Sequence, residues 1–302
     1  MFRLPFPRMP SGKRARQQRQ QAAVAAPPPV RSKGVGGARA RQASPRALAI
    51  GGVVVLAIVV AIVLGVVLSG GGSGGGSAVV SPSDMAGLPP TGSQNWAGAL
   101  QGAAEGNNLF KGVPQKELTL GNPKAPVTME MFIDVQCPIC KDYEVSHLPS
   151  VVNKYIRTGK VRLDLKPWAF IGGAGSQSFS GRLGLIAAAM QNKGFEYAKI
   201  LYDNQPDNSE NTGYLTGQHM AQVAASVDGL NMAQWQKDVN GSAVEATAKN
   251  VDDLAAAHPN EVTGTPTILV GPTGGKLQLA MLPGKYTPED VEPALKAAIA
   301  NQ

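Results

Sequence analysis

Residues 125–144, APVTMEMFIDVQCPICKDYE, join a strand-like run to a helix-like one and place a cysteine on each side of the junction. Residues 125–135 are nearly continuously apolar and β-favouring, as a strand buried on both faces reads. Pro138 suits the first turn of a helix, where a missing N–H leaves no bond unmade. Cys137 and Cys140 are the only cysteines in 302 residues. A chain built this way has to put two sulfurs within bonding reach at the mouth of a helix.

Three chemistries compete for such a pair. A structural disulfide closing so short a loop gains little from loop-closure entropy. Zinc needs four ligands, and the chain's histidines, His147, His219 and His258, form no His-x3–5-His pair. Copper shuttling lacks a third soft ligand, so no metal site is expected. A redox centre fits the position itself: unpaired N–H groups and the dipole of a helix start favour negative charge on the first sulfur. Cys137 is then the expected thiolate, and Cys140, one turn in, the more buried and less ionised partner. Cys137 would exchange first and Cys140 resolve the mixed disulfide.

Beyond the pair, residues 160–170 (KVRLDLKPWAF) read as a second strand, which makes the opening β-α-β. Strand character vanishes from about 176 to 258, where the apolar spacing is helical. It returns in TPTILVG (265–271) and KLQLAMLPG (276–284), before a last helix near Pro288. The expected class is α/β: a thioredoxin fold with an inserted helical subdomain. Pro266 cannot donate to a sheet ladder, and it makes sense at a strand entrance if Thr265–Pro266 is cis.

The N-terminal part is of another kind. Residues 1–46 hold eleven Lys/Arg and no acid, which leaves 17 basic residues against 21 acidic ones for the rest. The basic character belongs to the tail, so a nucleic-acid-binding enzyme is excluded as a reading of the folded part, and the tail is expected to be disordered. Residues 47–68 (ALAIGGVVVLAIVVAIVLGVVL) carry no charge, and as a helix they would span ~33 Å, enough for a bilayer core. They are longer than a signal h-region and lack a clear cleavage site, so a single transmembrane anchor is expected. The flanking positive charge puts the N-terminus in the cytoplasm and the remainder outside the cell membrane, where disulfides persist. Gly, Ser and Pro predict a flexible linker over 69–115 and a folded domain over 116–302.

The combination of VTMEMFIDVQCPICKDYE, a helical block and VTGTPTILV, with TLGNPKAPVT just upstream of the first, resembles the DsbA-like thiol–disulfide oxidoreductases, in particular their membrane-tethered bacterial branch. The resemblance covers about 116–302. It implies Cys137 as nucleophile, Cys140 as resolving cysteine and Pro138–Ile139 as the potential-tuning dipeptide. Pro266 would pack against the disulfide as cis-proline, and the Thr265 backbone would pair with substrate chain. It implies a monomeric enzyme without a bound cofactor that oxidises thiols of secreted or unfolded proteins and is re-oxidised by a quinone-linked membrane partner. Two positions depart from the pattern: Met131 stands where many relatives carry an acid, and Ile139 where the strongly oxidising prototype carries His. The same fold run as a reductase or isomerase, and a tethered binding module or chaperone with a structural disulfide, remain the alternatives.

Overall fold

The computed structural model describes residues 79–302. The expected tail (1–46), the expected membrane helix (47–68) and the first part of the expected linker lie outside the described residues. Among the described residues no helix is long and apolar enough to cross a membrane.

Six strands form one sheet: β1 (Gln115–Lys116), β2 (Thr119–Leu120), β3 (Val127–Ile133), β4 (Val161–Pro167), β5 (Thr267–Pro272) and β6 (Gln278–Met281), in the order β1-β2-β4-β3-β5-β6. β3 lies centrally, parallel to β4 and antiparallel to β5. Its apolar run follows from burial on both faces. On one face Phe132 and Leu269 meet Val251 and Ala255 of a long helix, Ser242–Ala257. On the other, Met129, Met131, Ile268 and Val270 share a core with Val291 and Leu295 of the C-terminal helix, Pro288–Ala300.

After an α-helix, α1 (Ala103–Phe110), which precedes the sheet, the helix α2, which begins at the cysteine pair, follows β3. It starts as Pro138–Asp142, widens into a π-helical turn at Tyr143–His147, returns at Leu148–Val151 and widens again at Val152–Ile156. The first widening sits immediately ahead of Pro149, whose missing N–H and ring clash interrupt an i→i−4 ladder. Gly159 ends the helix with φ 75°, a left-handed conformation that favours glycine.

Between β4 and β5 come α3 (Gln177–Met190), α4 (Gly194–Asp203), α5 (Gly217–Ala225), α6 (Met232–Val239) and α7 (Ser242–Ala257). These match the helical insertion expected over about 176–258. The run 180–205, SGRLGLIAAAMQNKGFEYAKILYDNQ, whose apolar spacing is helical, breaks at Asn192, a non-glycine residue with φ 58°.

One expectation is corrected. Residues 79–115 are no flexible linker but part of the folded unit. The Asn240 side chain accepts from the Val79 and Val80 N–H groups (2.7 and 3.2 Å) and donates to the Val80 carbonyl (2.8 Å). The Gly92 and Ser93 N–H groups donate to the carbonyls of Leu230 and Ala225, each at 2.8 Å. A Cβ at Gly92 would collide with the Val227 and Ala224 carbonyls, so only glycine permits this approach. Phe110, at the end of α1, is buried with its ring 5.9 Å from that of Phe195. Adjoining it, β1 and β2 make a small hairpin that extends the sheet through β4. A polar, Gly- and Pro-containing segment is thus held by bonds to residues far away in sequence, and these leave no periodic trace.

Truncating Phe110 separates the two readings of this segment. If 79–115 belong to the folded unit, Phe110→Ala lowers unfolding free energy by ~3–5 kcal/mol in a denaturant titration, the usual cost of emptying a buried aromatic site. A tethering linker would tolerate it without measurable loss.

Candidate active site

The site is built where β3 ends. Its last residue, Ile133, is followed by Asp134-Val135-Gln136 and then by Cys137, which caps α2: its sulfur accepts the Cys140 backbone N–H at 3.3 Å. Both cysteines are free thiols; Cys137 is 4% exposed and Cys140 fully buried. Thr265–Pro266 is cis, and it brings the Thr265 carbonyl to 3.3 Å from the Cys137 sulfur, whose thiol donates to it. Two motifs 128 residues apart in the chain therefore meet at one sulfur.

The environments of the two sulfurs differ in sign. The Cys140 thiol's hydrogen bond to Cys137 does most to favour a Cys137 thiolate. Burial opposes it, and the Thr265 side chain with the Cys140 and Ile139 N–H groups adds further support. The result is a Cys137 pKa lowered to about 7. Burial pushes the Cys140 thiol well above the usual range, and a neighbouring negative Cys137 pushes it further.

The segment before Cys137 is held by the helical insertion. The Tyr202 hydroxyl donates to the Asp134 carbonyl (2.9 Å) and the Tyr214 hydroxyl to that of Val135 (2.8 Å). Gln205 Nε2 (2.7 Å) and the Ser209 hydroxyl (3.2 Å) donate to that of Gln136. The buried Asp134 carboxylate accepts from the Gln136 N–H (2.8 Å), the Ser178 hydroxyl (2.6 Å) and the Ile171 N–H (2.7 Å). Burial nevertheless raises its pKa, and these donors offset only part of the effect. Sequence reasoning missed all of these holding residues. The available signal was the pair of polar residues, Asp134 and Gln136, at the end of an otherwise apolar strand.

Beside Cys137 a groove of about 370 Å³ is lined by Pro138, Ile139, Phe170, Ile171, Thr265 and Leu282, with Glu210 as the one charged residue in its wall. Ile139 and Phe170 are 43% and 47% exposed, unusual for large apolar side chains. Trp168 turns instead into the core cluster around Phe132.

The acid questions raised by the sequence have structural answers. Met131 is fully buried in the core. Glu130 lies on the opposite face of β3, paired with Lys166 at 3.5 Å. A buried acid does stand close to the pair in sequence: Glu144, one turn beyond Cys140 in α2. Burial pushes its carboxyl up to about 8, with Lys199 pulling the other way.

A family model described as thioredoxin matches residues 114–278, just over half of the chain. The chain belongs to the thioredoxin family. Two curated relatives are each called a probable disulfide bond formation protein D. That of Bacillus anthracis is 24% identical over 167 residues, which span 55% of this chain and 74% of the relative. That of Bacillus cereus is 27% identical over 169 residues, with the same coverage. Among solved structures, oxidised BdbD from Bacillus subtilis superposes with a TM-score of 0.51 at 19% identity, covering 61% of this chain and 93% of that one. DsbA of Chlamydia trachomatis gives 0.51 at 18%, covering 61% and 92%. At such identities the superpositions speak for the shared fold. The chain is a DsbA-like thiol–disulfide oxidoreductase of this family.

Two measurements follow from the site. Iodoacetamide alkylation of the reduced protein should modify Cys137 with a midpoint near pH 7 and leave Cys140 unreactive; Cys140→Ala, which removes the largest support of the thiolate, should move that midpoint upward. Folding raises the Glu144 carboxyl from 4.5 to about 8, so its stabilising contribution is full below pH 4.5 and is lost as pH rises through 8. Glu144→Gln should therefore gain stability relative to the parent steadily between about pH 5 and 9 in parallel denaturant titrations; parallel curves would contradict this.

Proposed function

We propose that this protein is a membrane-anchored, extracytoplasmic enzyme that oxidises the thiols of secreted or unfolded proteins. The observation that carries the reading is the open apolar groove at the Cys137 sulfur. An unfolded chain presents apolar side chains and an unpaired backbone. Ile139 and Phe170 would take the former, and the backbone at Thr265 would pair with the latter as a short added strand. The relatives named as disulfide bond formation proteins support the same direction.

In the oxidised enzyme, a substrate thiolate attacks Cys137 in the Cys137–Cys140 disulfide. The new bond joins substrate to Cys137, and Cys140 leaves. Because its pKa is pushed well up, it takes a proton at once. A second substrate thiolate then attacks the substrate sulfur of the mixed disulfide and releases Cys137 as a thiolate stabilised at neutral pH. Two electrons pass from substrate to enzyme, and the substrate gains a disulfide. Pro138 and Ile139 set how readily the pair gives up its bond, and Pro266 holds the Thr265 carbonyl against Cys137.

The chain has no further cysteines to pass these electrons on. Re-oxidation is assigned to a quinone-linked membrane protein, which residues 47–68 would keep within reach. The charge-free length of that segment and the basic residues ahead of it support the anchor and its orientation.

A second reading has a specific observation in its favour. A Cys137 pKa of about 7 lies at ambient pH, where an attacking thiol works best, and this suits a reductase or isomerase. The reduction potential of Cys137–Cys140 against glutathione decides between them. A value near or above about −150 mV is expected for the oxidant, whereas one near about −270 mV would reverse the direction of electron flow.

A further inference from the structure

Glu210 is the single charge in the wall of the Cys137 groove, and the backbone that carries it is fastened to the site. It lies in the loop between α4 and α5, and both of its neighbours in the chain are tied to Gln136, directly before Cys137. The Ser209 hydroxyl donates to the Gln136 carbonyl at 3.2 Å, and the Asn211 N–H donates to Gln136 Oε1 at 2.9 Å. Asn208 and Asn211 take left-handed conformations, φ 54° and 56°, which asparagine adopts more readily than most residues. The carboxylate is thus presented to the groove from a loop bonded to the segment that leads into the reactive cysteine.

Glu210 is exposed and, among the described residues, makes no ion pair. The cations nearby are already engaged. Lys141, next to Cys140, donates to the Gln205 carbonyl at 2.6 Å and pairs with Asp207 at 3.2 Å. Lys285, two residues beyond Pro283 of the groove wall, lies with its ammonium over the Tyr286 ring, 5.5 Å from the centroid. The rest of the wall is uncharged, and Pro138, Ile139, Phe170, Ile171 and Leu282 make it mainly apolar. In the open groove, water solvates the Glu210 carboxylate. A chain that fills the groove displaces part of that water, so the carboxylate then discriminates between a cation and anything else beside it. The attraction is stronger there than on the open surface, because apolar walls lower the local dielectric response.

We infer that Glu210 selects protein substrates whose reactive cysteine has a Lys or Arg close by in sequence, a preference that rests on the thiol-oxidising function proposed above. A space of about 370 Å³ is ~7 Å across when compact, the reach of two residues of extended chain, so a basic residue about two positions from the cysteine meets Glu210 while the cysteine meets Cys137. Apolar neighbours of that cysteine settle on Ile139 and Phe170, and an acidic neighbour is repelled. The electron transfer itself is unchanged: two substrate thiols lose two electrons and two protons and join as a disulfide, and the Cys137–Cys140 disulfide takes them up as two thiols. One ion pair at a half-open surface discriminates by about two- to fivefold, enough to bias a broad enzyme without closing it to neutral substrates.

Three dithiol peptides test the preference, identical except for Lys, Gln or Glu placed two positions before and two positions after the first cysteine. The oxidised full-length chain, in a nonionic detergent, is mixed with each, and disulfide formation in the peptide is followed by mass spectrometry. Each rate is divided by that of the same peptide with hydroxyethyl disulfide, which is uncharged and removes the effect of the added charge on the thiol itself. The parent should oxidise the Lys peptide about two- to fivefold faster than the Gln peptide, and the Glu peptide more slowly than either. Glu210→Gln should bring the three corrected rates together, Glu210→Lys should reverse their order, and ~0.5 M sodium chloride should flatten the preference of the parent. Because each comparison is a ratio within one protein, a partial loss of folded variant does not alter it. Equal corrected rates in the parent, or an order that survives Glu210→Lys, would overturn the preference and leave the oxidising function standing. Failure of the parent to oxidise any of the three would overturn both.

Discussion

Three consecutive backbone carbonyls, those of residues 134–136, hold the rest of the site in place. They lie in the protein interior where β3 has ended and α2 has not begun, so no sheet ladder supplies their donors; the Cys137 N–H meets the Asp134 carbonyl at 2.9 Å, and side chains meet all three. Tyr202, Tyr214, Gln205 and Ser209 reach across from the helical insertion to meet them. A buried carbonyl without a donor costs more than a typical hydrogen bond contributes, so the insertion and the sheet cannot part without exposing this segment. The Asp134 side chain ties the same turn to Ser178 at the start of α3 and to Ile171 after β4. The path of the chain into Cys137 is therefore set jointly by the thioredoxin sheet and by the helices inserted into it.

That path explains why two cysteines three residues apart behave so differently. Cys137 caps the helix, so its sulfur collects the Cys140 N–H and stands open to the groove. Cys140 has turned inward under the sheet and is wholly enclosed. Desolvation acts on both, but only Cys137 gains enough hydrogen bonding to its charged form to outweigh it. A negative Cys137 in turn makes ionisation of Cys140 harder, so the pair behaves as one thiolate and one thiol near neutral pH.

Much of this was legible in the sequence for a local reason. The apolar run of β3, the Pro after Cys137 and the helical spacing of 176–258 are signals carried by neighbouring residues, and each element formed where its pattern lay. The Thr265–Pro266 segment was legible because proline restricts its own backbone. What escaped depends on partners far along the chain. Residues 79–115 look like linker because their bonds go to Leu230, Ala225 and Asn240, more than a hundred residues away. The hairpin of β1 and β2 is too short to show alternation. Nothing beside them in the sequence marks Tyr202 and Tyr214, and only the fold shows that their hydroxyls bond the carbonyls just before Cys137.

The departures at Met131 and Ile139 also acquire a physical meaning. With Met131 buried among apolar neighbours and Glu130 turned to the far face beside Lys166, β3 brings no carboxylate to the pair. Ile139 cannot donate a hydrogen bond to the thiolate, so the supports of Cys137 are the Cys140 thiol, the Thr265 side chain and backbone N–H groups. Those supports are geometric rather than ionic. Their strength depends on how closely Cys140 and Thr265 approach one sulfur, and that approach is fixed from the residues just before Cys137. The bonds from the insertion to residues 134–136 therefore bear on the redox chemistry, although none of them touches sulfur.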